Sequence, residues 1–199
     1  RRQGAGAGQT PGTVGIRIML TRAPVSPSQW VGDYLDPGID LILRESVRHD
    51  FPVNLLCWDN LDAGIELVDR HPDVRFIIDH LGILQPRMLP APPEPWAQLP
   101  KVLELANREN AVIKISGACT LSKVGYPFAD IWDPLARVFD AWGIDRCLWG
   151  TDWTRAFAVV DYEYAVKPFC ITDRLTESER VVLMGGACAK AYGWEHSNK

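Results

Sequence analysis

The sequence is most informative at first through what it lacks. No apolar run approaches the ~18 residues needed to span a bilayer, and no apolar stretch follows Arg1 and Arg2 that would read as a secretory signal. The five cysteines (57, 119, 147, 170 and 188) contain no Cys-x-x-Cys pair and are odd in number, so neither a zinc knuckle nor a disulfide framework is indicated. A reducing, cytoplasmic setting is the expectation. Positive charge is not in excess: 21 Lys+Arg stand against 25 Asp+Glu, which disfavours a nucleic-acid binder. Histidine is scarce, with four in all, and no His-x-His pair occurs. What remains is an ordinary globular composition, 47% hydrophobic and 23% charged over 199 residues.

The first twelve residues hold four glycines and no apolar period, and read as a flexible lead-in; residues 195–199 read as a polar tail containing His196. Between them, short β-branched runs alternate with helical patterns. The expected strands are 14–20, 53–58, 75–80, 112–116 and 147–152, all mostly apolar, as in parallel strands covered on both faces. Each interval leaves room for one crossover helix. Helices are expected over 39–49, 61–70 (capped by Asn60), 96–108 and 130–142, the last ending at Gly143. Thr176 and Glu179 have capping-box spacing, and Gly185-Gly186 should interrupt the helix that follows. The serial β-α order implies an α/β fold with a parallel sheet, open or closed. The segment 85–100 carries six of the 15 prolines and follows a strand's C-terminal end, where α/β folds place active sites; a stiff surface connection is the alternative.

Polar residues on strands narrow the search for chemistry. His49 and His71 fall at helix C-termini, where a cationic imidazole stabilises the dipole. His80 instead ends a strand, and alternation places it with Phe76 and Ile78, opposite Ile77 and Asp79. Asp152 ends the last strand; it is either a helix cap or, with His80, an acid/base pair at one end of the sheet. Arg17, Asn54, Lys114 and Ser116 are polar where a core would be apolar. Arg17 and Lys114 need an acidic partner or a ligand, and a guanidinium suits a carboxylate.

Five segments then carry a resemblance: Gly15-Ile-Arg17, Phe76-Ile-Ile-Asp-His80-Leu-Gly82, Ile113-Lys-Ile-Ser116-Gly117, Leu148-Trp-Gly-Thr-Asp152-Trp153, and the closing run from Leu183 to Gly193. In this order they resemble the amidohydrolase-related family, in its metal-independent, lactonase-like branch. The resemblance implies a (β/α)8 barrel, of which residues 13–194 would supply strands four to eight. Such barrels take about 250 residues, so the chain reads as N-terminally incomplete. It further implies that Asp152 activates water, that His80 polarises the carbonyl or moves a proton, that Arg17 clamps a carboxylate, and that Ser116 lies near the pocket. Asn54, Trp58, Trp153 and Arg155 are the remaining candidate substrate contacts.

Metal-dependent relatives place a histidine where Leu56 stands, and Cys57 beside it turns to the other face. His80 and Asp152 alone are too few for catalytic zinc, so no metal is expected and no other cofactor is implied. The closing run has Ala187 where the family often has Asn. The expected function is a hydrolase opening a lactone or related cyclic ester or amide, on a small, carboxylated substrate, with no membrane or nucleic-acid partner and with homo-oligomerisation open. The alternatives are a metal-dependent decarboxylase or amidohydrolase of the same family, and a non-catalytic part of a barrel.

Overall fold

The computed structural model describes residues 12–20 and 34–194. The expected lead-in, apart from Gly12, and the expected tail lie outside these residues. Five strands form one parallel sheet: β1 (Ile16–Met19), β2 (Val53–Leu56), β3 (Phe76–Ile78), β4 (Ala111–Ser116) and β5 (Cys147–Gly150). They lie side by side in sequence order. This α/β layout matches the sequence reading, although each strand except β4 is shorter than expected.

Helices connect the strands. They are α1 (Pro37–Arg48), α2 (Leu61–Arg70), α3 (Leu99–Leu105), α4 (Trp132–Trp142), α5 (Trp153–Ala156), α6 (Tyr162–Ile171), α7 (Glu177–Val181) and α8 (Ala187–Tyr192). The sequence reading anticipated neither α5 nor α6. The capping box is present: Thr176 and Glu179 satisfy each other's backbone N–H groups at the start of α7, an arrangement typically stabilising by about 1 kcal/mol. Gly143 ends α4 with φ +75°. Two local expectations fail. Asn60 does not cap α2 through its side chain; its Nδ2 donates to Leu20 O instead, tying the loop to the end of β1. The Gly185-Gly186 pair does not interrupt the helix, because Val182–Gly186 forms a π-helical turn that joins α7 to α8. A glycine pair offers no side chain to pack, and a widened turn absorbs it without breaking the hydrogen-bonded run.

Register and alternation sort the sheet into two faces. Arg17 pairs with Asn54, Asn54 with Ile77, Ile77 with Val112, and Lys114 with Leu148. The opposite face carries Val53, Leu55, Phe76, Ile78, Ile113, Ile115 and Cys147, which pack with Leu43, Leu67, Val102, Leu135 and Val138 of the helices in the main core. At about 1.5–3 kcal/mol per buried aliphatic side chain, this layer is what holds the sheet in place. On the first face a small cluster of Ile77, Leu148 and Ala187, flanked by Val112 and Tyr192, packs α8 over one end of the strands. The polar residues gather beyond it.

Candidate active site

The site is built where β3 and β5 stop. β3 ends at Ile78, two residues before the sequence reading stopped it. His80 then adopts a left-handed conformation, φ +52° and ψ +49°. This corrects the expected alternation: His80 no longer follows Phe76 and Ile78 to the helix-covered face, because the strand rule lapses with the strand. Asp152 is also left-handed, with φ +51°. Non-glycine residues held at positive φ store strain and cluster at functional sites. The two turns bring His80 Nδ1 within 3.5 Å of Asp152 Oδ2, both side chains nearly buried. Asp152 occupies the position before α5, yet its side chain makes no capping hydrogen bond. Its Oδ2 is buried and, beyond the 3.5 Å approach of His80, takes no hydrogen bond among the described residues.

The His80 ring is held from both sides. Nδ1 lies 2.8 Å from Ser116 Oγ on β4, and Nε2 lies 3.3 Å from Arg17 Nη2 on β1. A guanidinium only donates, so Nε2 is the acceptor and Nδ1 carries the proton. Burial lowers the His80 pKa below 6.5; Asp152 and Asp79 oppose that shift, while Arg17 and Lys114 reinforce it. The imidazole is therefore neutral at neutral pH.

Beneath the ring lies a buried carboxylate that the sequence reading did not select. Asp79, 1% exposed, accepts from Arg17 Nε at 2.7 Å and pairs with Lys114 Nζ at 2.9 Å. Lys114 also donates to Asn54 Oδ1 at 2.6 Å, and Tyr192 OH donates to the same oxygen. Asn54 Nδ2 donates to Ile16 O at 3.0 Å. Burial works against the Lys114 ammonium, but Asp79 outweighs it and the lysine pKa rises. The acidic partner that Arg17 and Lys114 required is thus a single residue. The signal available was its adjacency to His80 and a place in alternation on the same face as Arg17 and Lys114.

A cavity of about 510 Å³ opens over these groups, lined by Arg17, Asn54, Asp79, His80, Lys114, Asp152 and Tyr192. The match to the amidohydrolase family model runs over residues 5–194. The chain belongs to the amidohydrolase family. Over 143 residues it is 32% identical to the L-fucono-1,5-lactonase of Burkholderia ambifaria, covering 70% of this chain and 45% of that protein. Two solved structures share its fold. One is an amidohydrolase of Burkholderia multivorans with bound zinc: TM-score 0.69, 22% identity, 80% of this chain and 58% of the other. The other is a probable 2-pyrone-4,6-dicarboxylic acid hydrolase of Acinetobacter baumannii with citric acid bound: TM-score 0.69, 22% identity, 92% of this chain and 65% of the other. The amidohydrolase-family chain described here thus spans about half the length of the curated relative and under two-thirds of each of these structures.

Of the expected site residues, the fold brings His80, Asp152, Arg17, Ser116 and Asn54 together. Trp58 and Arg155 instead line a neighbouring cavity of about 380 Å³. Trp153 is 39% exposed and sits edge-on against Tyr162, ring centroids 5.3 Å apart. It is not among the residues that line the cavity over Asp152. As a zinc centre the donor set does not fit. Among the described residues no three His, Cys, Asp or Glu side chains converge, Asp79 is taken by two cations, and Leu56 offers no donor. Catalytic zinc takes three protein ligands.

Proposed function

We propose that the chain is the part of an amidohydrolase-family barrel that contributes strands four to eight, and that its site opens a lactone or related cyclic ester or amide by aspartate-activated water. The observation that carries this reading is the 3.5 Å approach of His80 and Asp152 at the C-terminal ends of β3 and β5. The buried Asp152 Oδ2, which takes no hydrogen bond among the described residues, is an acceptor for a water proton. Water attacks the ring carbonyl carbon as Asp152 takes its proton. Neutral His80, turning its Nδ1–H from Ser116 Oγ to the developing negative charge, stabilises the oxyanion of the tetrahedral adduct. Collapse expels the ring oxygen or nitrogen, which takes the proton back from Asp152; the carboxylic acid so formed loses its remaining proton to solvent, leaving a carboxylate product and a regenerated site. Arg17 keeps Nη1 without a protein partner among the described residues, and offers it to a substrate carboxylate. Ser116 holds the ring by its hydroxyl.

The lactonase relative and the dicarboxylic acid hydrolase-like structure support this class of substrate by analogy. Asp152→Asn is expected to lower lactone hydrolysis by about two orders of magnitude or more with an unchanged circular dichroism spectrum. Undiminished turnover would reject the role given to Asp152. The short coverage of the relatives favours one further reading, a chain that becomes catalytic only once further strands complete the barrel. Assay and sizing of the chain alone separate the two, since a soluble, active monomer defeats the second.

A further inference from the structure

The second cavity holds chemistry that the hydrolytic reading leaves unused. It lies beside the first, between the proline-rich segment after β3 and the turn after β5, and its walls include Trp58, Pro86, Arg87, Pro92 and Arg155. Two of its donors, Trp58 Nε1 and Arg155 Nε, are buried and have no acceptor among the described residues. Trp58 as a whole is only 3% exposed, so bulk water does not serve its indole N–H. Arg155 spends Nη2 on Gln85 O at 2.9 Å, which fixes the guanidinium plane and leaves its other donors for something else. Arg87, exposed, lines the same cavity and makes no ion pair among the described residues. Burial and then the Arg87 charge lower the Arg155 pKa, and Asp152 only partly offsets them. Two guanidiniums lining one cavity, an indole N–H with no hydrogen-bond partner among the described residues and proline walls suit an anionic group.

We propose that Trp58, Arg87 and Arg155 form a second anion subsite, which takes a carboxylate or phosphate group borne by the substrate at a distance from its reacting carbonyl. The proposal rests on the hydrolytic reading and narrows it: the substrate carries an anionic arm extending from Asp152 toward the proline-rich segment. Gln85 couples the two cavities. Its backbone oxygen holds Arg155, and its side-chain amide donates to Ser116 O, whose residue in turn holds His80. An occupied subsite thereby presses on the support of the catalytic imidazole. The bidentate fork of a guanidinium matches the two oxygens of a carboxylate or phosphate, and the indole N–H supplies a third, neutral donor.

The test is a binding measurement that needs no turnover. Succinate and inorganic phosphate are titrated calorimetrically against the whole chain, its Asp152→Asn variant and the subsite variants, at low ionic strength. Saturable binding of either anion is expected; the tighter one identifies the arm as carboxylate or phosphate. Arg87→Gln, a change at an exposed residue that has no hydrogen bond or ion pair among the described residues, should weaken that binding about tenfold or more, with Arg87→Lys recovering part of it. Trp58→Phe should weaken it by a smaller factor, and Arg155→Gln by at least as much as Arg87→Gln. Asp152→Asn, which removes a negative charge near Arg155, should bind at least as tightly as the unaltered chain, which keeps failure of the subsite distinct from failure of the hydrolytic reading. Equal affinity in the unaltered chain and Arg87→Gln, or no saturable binding of either anion, overturns the subsite.

Discussion

The ionisation state of one histidine decides what chemistry the site performs. Burial is the largest influence on His80 and lowers its pKa below 6.5. In the unfolded chain the imidazole protonates near its ordinary value. The stability gained by keeping it neutral is therefore complete above pH 6.5. It is lost as pH falls from there through the lower folded value. Titration of the His80 ring by NMR is expected to give a pKa below 6.5, and His80→Gln should flatten that acid segment of the stability curve. A raised value would mean that the two carboxylates outweigh burial, and one above about 7 that the ring is charged at neutral pH. Asp79 makes the second residue-scale case. Asp79→Asn leaves Lys114 and Arg17 without their shared counter-ion; because the Arg17 side chain is 48% exposed, water recovers part of the loss. The expected destabilisation is about 2 kcal/mol, below the usual range for a fully buried pair. Chemical denaturation measures it. The same change frees Arg17 to swing, so substrate affinity should also fall.

The elements matter through where they end. β3 is only three residues long, and its early stop turns His80 into the site; β5 stops at Gly150, so only Thr151 separates the strand from Asp152, which precedes α5. β4 ends in a third such turn, at Gly117, with φ +69°. There the Gln85 carboxamide packs against the glycine, and a Cβ would collide with it. Gly117→Ala is therefore expected to cost about 2–3 kcal/mol through strain and collision together. It should also slow hydrolysis, since displacing Gln85 removes its hydrogen bond to Ser116 O and loosens the hydroxyl that holds His80. A thermal melt and a steady-state assay read the two effects separately. A Gly117→Ala variant as stable and as active as the original would show that Gln85 has no part in positioning.

At the scale of the molecule, the charges around the cavity bear on metal binding. Arg17 and Lys114 face the same space as His80 and Asp152, and the one buried carboxylate beneath them is already neutralised. A divalent cation there would meet two like charges and two side-chain ligands. Metal analysis of protein purified without chelator is expected to find no stoichiometric zinc. One zinc per chain would favour the metal-dependent alternative and require ligands from outside the described residues. The wider architecture bears on association: β1 and β5 end the sheet among the described residues, and α8 lies against β5.

The α/β alternation was legible in the sequence because parallel strands buried on both faces write themselves as short apolar runs, and the crossover geometry fixes the spacing between them. The capping box before α7 was legible because its signal is local to four residues. So were His80, Asp152 and Arg17, which stand out as polar positions in or at the ends of apolar strands. The lengths of the strands and the direction of His80 were not legible, since a left-handed turn is imposed by packing that no window of residues contains. Asp79 stayed hidden because its two partners come from β1 and β4, brought beside it only by strand order. Trp58 and Arg155, expected with Trp153 beside His80 and Asp152, line the adjacent cavity, because which cavity a side chain enters depends on the turns after β2 and β5, and tertiary contact alone settles that.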